Sequence, residues 1–178
     1  MNKLKIALIL GATREGRQSE KVFEVLKSEL SKQNIELTAV DLRELNLPMF
    51  DTAENVLAHE GVKFLLEVYK NTDGFFIVAP EYNHSVPSVL KNAIDFALEK
   101  ELFLKPMSGI GVSSGQFGGV RMLEQLANVW LGVGGIALPK YLPTARVGEF
   151  EVENPPKEWM ISLEKFLATN LEVMRKLA

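Results

Sequence analysis

The sequence contains no cysteine. Disulfides, thiolate metal centres, cysteine nucleophiles and CxxC redox motifs are therefore excluded, and any redox chemistry has to come from a bound cofactor. Histidine is nearly as scarce, with only His59 and His84 present, so no multi-histidine metal site is expected. There is no excess of positive charge: the formal net charge is -3 and the pI about 5.5, which argues against a nucleic-acid partner. No apolar run approaches the roughly 20 residues that span a bilayer. The start, Met1-Asn2-Lys3-Leu4-Lys5, lacks the apolar stretch and small-residue cleavage site of a signal peptide. A cytoplasmic location without membrane association is expected. Internal repeats, low-complexity stretches and linkers are also missing.

What is present is a chain of 178 residues, 47% hydrophobic and 24% charged. That length buries a core without staples and suits one domain over residues 1–178. Ile6–Leu10 is a continuous apolar run, as expected of a strand buried on both faces. A helical pattern follows over Ser19–Gln33, then a second strand over Ile35–Leu42. Val62–Tyr69 reads as a helix and Phe75–Ala79 as the third strand. Pro87–Leu98 reads as a helix, Met107–Ser113 as the fourth strand and Gly119–Leu131 as another amphipathic helix. Gly135–Pro139 begins a fifth strand, and Pro155–Leu177 is the closing helix. Arg43–Gly61 and Leu142–Pro156 read as irregular. Strict alternation of strand and helix predicts a parallel sheet with helices on both faces. With right-handed crossovers, the expected class is α/β: a flavodoxin-like three-layer sandwich with a five-stranded parallel sheet in order 2-1-3-4-5.

In such sheets ligands sit beyond the carboxyl ends of the strands, near the switch in strand order. That selects three loops. The first, Gly11-Ala12-Thr13-Arg14-Glu15-Gly16-Arg17-Gln18-Ser19, leads into a helix N-terminus, where backbone N–H groups and the helix dipole favour an anion. Thr13 and Ser19 offer hydroxyls, and Arg14 and Arg17 can pair with phosphate oxygens. Arg17-Gln18 stands where a Walker A loop has Lys-Ser/Thr, so an ATPase is rejected. The GxGxxG dinucleotide fingerprint is missing too. A solvated loop with a Ser N-cap is the plainer reading.

The second loop runs Ala79-Pro80-Glu81-Tyr82-Asn83-His84-Ser85-Val86-Pro87. Tyr82 offers a face for stacking on an aromatic ligand, and Asn83 both donates and accepts. Glu81 has a plainer role in bonding loop backbone, and Ser85 is a candidate cap for the next helix. A lone loop histidine is more often polar surface than acid or base, so His84 is given no catalytic role. The third loop, Ser113-Ser114-Gly115-Gln116-Phe117-Gly118-Gly119, combines hydroxyls with glycines that let backbone approach a ligand. Asp95 has Lys91 or Arg121 as possible ion-pair partners. Met49-Phe50 reads as core or as a subunit contact.

Together these loops resemble the NADPH-dependent FMN reductase family, whose members include azoreductases, quinone reductases and chromate reductases. The family's Gly-Ser/Thr-x-Arg…Ser loop appears as Gly11-Ala12-Thr13-Arg14…Ser19. Its long Pro-Glu-Tyr-Asn segment appears as Pro80 to Asp95, including Leu90-Lys91-Asn92-Ala93-Ile94-Asp95. Its Ser-x-Gly-x-x-Gly-Gly-x-Arg pattern appears as Ser113 to Arg121. The likeness runs from about Lys3 to Pro139. Ser88 and Ala127 depart from it, standing where the family usually has Gly and part of a Leu-Arg pair.

The resemblance implies noncovalent FMN as cofactor and NADPH or NADH as co-substrate. Its phosphate would lie on Thr13, Arg14, Arg17, Gln18 and Ser19. Its ring would lie against Pro80, Glu81, Tyr82 and Asn83, with Ser113, Ser114 and Gly115 on the other edge. Hydride would pass from NADPH to the flavin and then to a small-molecule acceptor such as a quinone, azo compound, metal oxyanion or flavin, in ping-pong order. No side chain need act as acid, base or nucleophile. A homodimer or homotetramer is implied. The alternatives are a flavodoxin-type electron carrier and a redox-sensing FMN protein, both without nicotinamide turnover.

Overall fold

Strand β1, Leu4–Leu10, sends alternate side chains to opposite sides of the sheet. Leu4, Ile6, Leu8 and Leu10 enter one core, and Ala7 and Ile9 enter the other. A strand that is apolar at both parities has to be covered on both faces, and this sets the layering of the whole molecule. The computed structural model describes residues 3–98 and 100–178.

Helix α1 (Ser19–Ser31) and the long closing helix α7 (Lys157–Leu177) cover the first face. Their buried stripes are Val22, Phe23, Val25, Leu26 and Leu30, and Leu163, Phe166, Leu167, Leu171 and Met174. Two short helices, α2 (Leu42–Leu45) and α3 (Glu54–Leu57), lie in the stretch expected to be irregular. The second face carries α4 (Glu60–Asn71), α5 (Ser88–Asp95) and α6 (Val120–Gly132). Strand β3 (Gly74–Pro80) shows the same division as β1: Phe76 and Val78 pack on one side, Phe75, Ile77 and Ala79 on the other. With β2 (Ile35–Asp41), β4 (Pro106–Val112) and β5 (Ile136–Ala137), the parallel order is β2-β1-β3-β4-β5, as expected.

The fifth position holds a surprise. It is filled by two short strands rather than one. β5 pairs with Pro106 and Met107, and a further strand β6 (Leu142–Thr144) pairs with Ile110 to Val112 on the same edge of β4. The break contains Pro139, which has no N–H for the ladder. The Lys140 carbonyl within it accepts bonds from the buried Ser108 hydroxyl of β4 and, at 3.2 Å, from the Asn170 amide of α7. The stretch after Leu142 is therefore partly ordered, and it ends in a single 3-10 turn, Val147–Glu149. The helix expected to reach Leu98 closes at Asp95. Among the described residues no helix is long and apolar enough to cross a membrane.

Candidate functional site

The chain leaves β1 towards β2 on one side and later returns to β3 on the other, so a crevice opens between the carboxyl ends of β1 and β3. Gly11 N–H bonds the Val78 carbonyl at 2.8 Å, which carries the ladder one residue beyond β1. The loop then turns through Gly16, whose φ of 64° lies in the left-handed region, and enters α1. Gln18 occupies the N-cap position without a side-chain cap bond, and Ser19 is the first helical residue. The plainer reading of Ser19 as the N-cap is thus displaced by one residue. Ser19 is buried, and its Oγ has no partner. A buried hydroxyl without a partner costs about 1–3 kcal/mol, so this atom calls for an external acceptor.

Arg17 is buried and committed elsewhere. Nη1 donates to Asp41 Oδ1 at 2.8 Å and to the Ala12 carbonyl, and Nη2 donates to Asp41 Oδ2. Nη2 also lies 3.5 Å from Glu20, which is half exposed. Burial alone lowers the Arg17 pKa, but the bond to Asp41, its charge and then Glu20 outweigh it, and the net shift is upward. The guanidinium is permanently charged. Both terminal nitrogens of Arg17 are engaged within the protein, which leaves little of the side chain open to a phosphate. Only Nε, buried and without a partner, remains. Arg14 is exposed.

The second loop is a tight turn. Tyr82 and Ser85 exchange both backbone bonds, at 3.1 and 3.0 Å. Asn83 and His84 between them have φ of 48° and 65°, the pair of positive values that a type I′ turn requires. Ser85 is consumed in this turn and does not cap α5, whose N-cap position is Pro87. Glu81 ties the second loop to the third. Its N–H bonds the Val112 carbonyl at 3.1 Å. Its carboxylate accepts from the Arg121 backbone N–H at 3.2 Å and lies 3.3 Å from the Arg121 guanidinium. His84 Nδ1 lies 3.6 Å from the same carboxylate. Glu81 thus satisfies the amino end of α6, the backbone role anticipated as the plainer one, and Asp95 pairs with Lys91 at 2.6 Å.

The third loop is stitched to the segment after β6. Ser113 N–H bonds the Thr144 carbonyl, and Arg146 and Val147 donate back to Gly115 and Ser113. Gly119 has φ of 79°, and a Cβ there would lie 2.8 Å from the Val112 nitrogen. Only glycine fits that approach.

The three loops enclose a cleft of about 140 Å³ lined by Arg14, Arg17, Gln18, Ser19, Pro80, Glu81, Tyr82, Val112, Ser113, Ser114 and Val147. Of the expected site residues, Thr13, Asn83 and Gly115 lie on the same loops but outside this lining. Val112 and Val147 were not anticipated, and neither was Asp41 behind Arg17. A larger concavity of about 850 Å³ lies at the opposite end of the sheet, beside Lys3, Lys5, Lys70 and Arg175. Size favours that one, but it lies at the amino ends of the strands, where open parallel sheets do not place ligands.

The cleft fits a phosphorylated flavin. At the amino end of α1 the Ser19 hydroxyl and the Arg17 Nε–H are two buried donors without a partner among the described residues, of the kind a phosphate accepts from. Tyr82, exposed at the rim of the cleft, offers a flat face of the kind that stacks on a planar ring.

Comparison with known proteins gives the same direction. Residues 4–148 match the family model described as NADPH-dependent FMN reductase, which extends the likeness past Pro139 through β6. A quinone reductase of Escherichia coli strain K12 is 31% identical over 145 residues, covering 78% of this chain and 75% of that protein. An NADPH azoreductase of Bacillus sp. strain OY1-2 is 27% identical over 137 residues, covering 77% and 74%. Among solved structures, a flavoenzyme NAD(P)H:(acceptor) oxidoreductase from Paracoccus denitrificans superposes with a TM-score of 0.72 at 26% identity, covering 98% of this chain and 95% of that one.

Proposed function

The chain belongs to the NADPH-dependent FMN reductase family, an oxidoreductase of flavodoxin-like fold with FMN as cofactor, and from that premise we propose how its site works. The cleft residues Arg14, Arg17, Gln18 and Ser19 hold the phosphate, with Thr13 beside them. Pro80, Glu81, Tyr82 and Asn83 line one edge of the ring, and Ser113, Ser114 and Gly115 the other. The observation that carries this reading is the pair of buried, unpartnered donors, Ser19 Oγ and Arg17 Nε, at the amino end of α1.

FMN, when bound, supplies the redox chemistry: it takes a two-electron equivalent from NAD(P)H and returns it to a second substrate. The protein binds and orients. Tyr82 presents an aromatic wall, and Glu81 fixes the second loop against α6. No acid, base or nucleophile of the chain is required. We propose that nicotinamide and acceptor use one open face in turn, a ping-pong order. The acceptor class is small quinones, azo compounds, metal oxyanions or free flavin, the first two in keeping with the quinone reductase and azoreductase relatives. A dimer or tetramer in the cytoplasm, each chain a single domain, completes the reading.

Initial rates measured against NADPH at several quinone concentrations test it. Parallel double-reciprocal lines are expected. Intersecting lines would remove the ping-pong order, and flavin that neither NADPH nor NADH reduces would favour an electron carrier.

A further inference from the structure

We infer that Asp41 is a positioning residue that withholds the Arg17 fork from the phosphate and so sets the affinity of the site for phosphorylated flavin. The inference rests on the reading of this cleft as a phosphate site. Asp41 is the last residue of β2, and the β1–β2 register pairs it with Leu10. That places its carboxylate directly behind the first loop. Its two oxygens take the two terminal nitrogens of Arg17 in the side-by-side geometry that a phosphate would otherwise use. Arg17 is also bonded to the Ala12 carbonyl and buried. Asp41 therefore holds both the direction of the Arg17 fork and its free donors.

Removing the Asp41 charge has two effects with the same sign. It deletes a negative charge beside an incoming dianion. It also leaves a buried guanidinium short of acceptors until an anion arrives, so the ligand-free protein loses stability and the ligand-bound one regains it. Glu20 reaches Nη2 only at 3.5 Å and from an exposed position, so it compensates in part. Asp41 also accepts from Arg43 N–H at 2.9 Å as the N-cap of α2. Asparagine caps equally well, which makes Asp41→Asn a substitution of charge with the cap retained.

The test is a fluorescence titration of FMN and of riboflavin, which lacks the phosphate, into flavin-free protein. In wild type, FMN is expected to bind more tightly than riboflavin. In Asp41→Asn, FMN affinity rises on the order of tenfold, the size of one charge-assisted hydrogen bond, while riboflavin is unchanged. FMN also raises the melting temperature by more in this variant than in wild type. In Arg17→Met/Asp41→Asn, which leaves no buried unpaired charge and tests the same point should the single variant not fold, the FMN preference falls below wild type. An FMN preference that stays level or drops in Asp41→Asn overturns the inference while leaving the phosphate site intact. A double variant as tight as the single one overturns it as well, since Asp41 would then not act through Arg17. Wild type that binds FMN no better than riboflavin overturns the phosphate reading itself.

Discussion

At the scale of single residues, the site is defined by what is left unsatisfied. The Ser19 hydroxyl has no partner among the described residues, so its removal breaks no bond in the ligand-free protein. Ser19→Ala should raise the melting temperature of the flavin-free protein, because the unpartnered buried hydroxyl is gone, and weaken FMN by about 0.5–1.5 kcal/mol, the net value of one hydrogen bond. Equilibrium titration together with a thermal melt checks both halves. Ser19 was legible in the sequence because a hydroxyl at a strand-to-helix junction is a local pattern. The commitment of Arg17 was not legible. Its partner Asp41 is 24 residues away, and only the register that pairs Leu10 with Asp41 brings the two together. Glu81 was half legible: its backbone role was foreseen, but its partner at Arg121 depends on how β3 and β4 align.

At the scale of elements, the helices are held at their ends as much as by their stripes. The last carbonyls of α4 are a case. Lys105 Nζ donates to the carbonyls of Tyr69, Lys70 and Thr72, at 2.8, 2.8 and 2.5 Å. A cation there satisfies orphan acceptors and opposes the helix dipole. Burial lowers the Lys105 pKa, with the Asp73 charge working against that shift. Lys105→Met keeps the stem and removes the donors, and should cost about 1–2 kcal/mol in urea unfolding, given the value of bonds to charged groups at a half-buried position. An unchanged midpoint would show that water replaces the lysine without loss. Long elements were readable because their apolar spacing repeats many times, as in α7. The split of the fifth strand was not, since three residues, one of them Pro143, carry no periodicity. Val147 entered the cleft unannounced for the same reason.

At the scale of the whole molecule, one sheet with two cores makes a rigid base and leaves function to the loops at one end. Tyr69 is fully enclosed, donates to the Ala93 carbonyl at 3.1 Å, and has its pKa raised far above the ordinary value, first by burial and then by the charges of Asp95 and Glu101. A raised folded-state pKa gives stability that is complete below the unfolded value, 10.0, and that is lost as pH climbs beyond it. Lys105 acts in the opposite sense, its lowered pKa relieving a penalty as pH approaches 10.5. Tyr69→Phe separates the two. Urea midpoints measured from about pH 8 to pH 11 should fall less steeply in the variant than in wild type, and equal slopes would remove Tyr69 from the alkaline limb. The family chemistry itself is tested most directly by anaerobic titration of the purified, FMN-loaded protein with NADPH, followed by visible absorbance. The oxidised-flavin bands are expected to bleach within seconds at one equivalent and to return when a quinone is added. A protein that takes up no FMN, or bound FMN whose bands neither NADPH nor NADH diminishes, would contradict it.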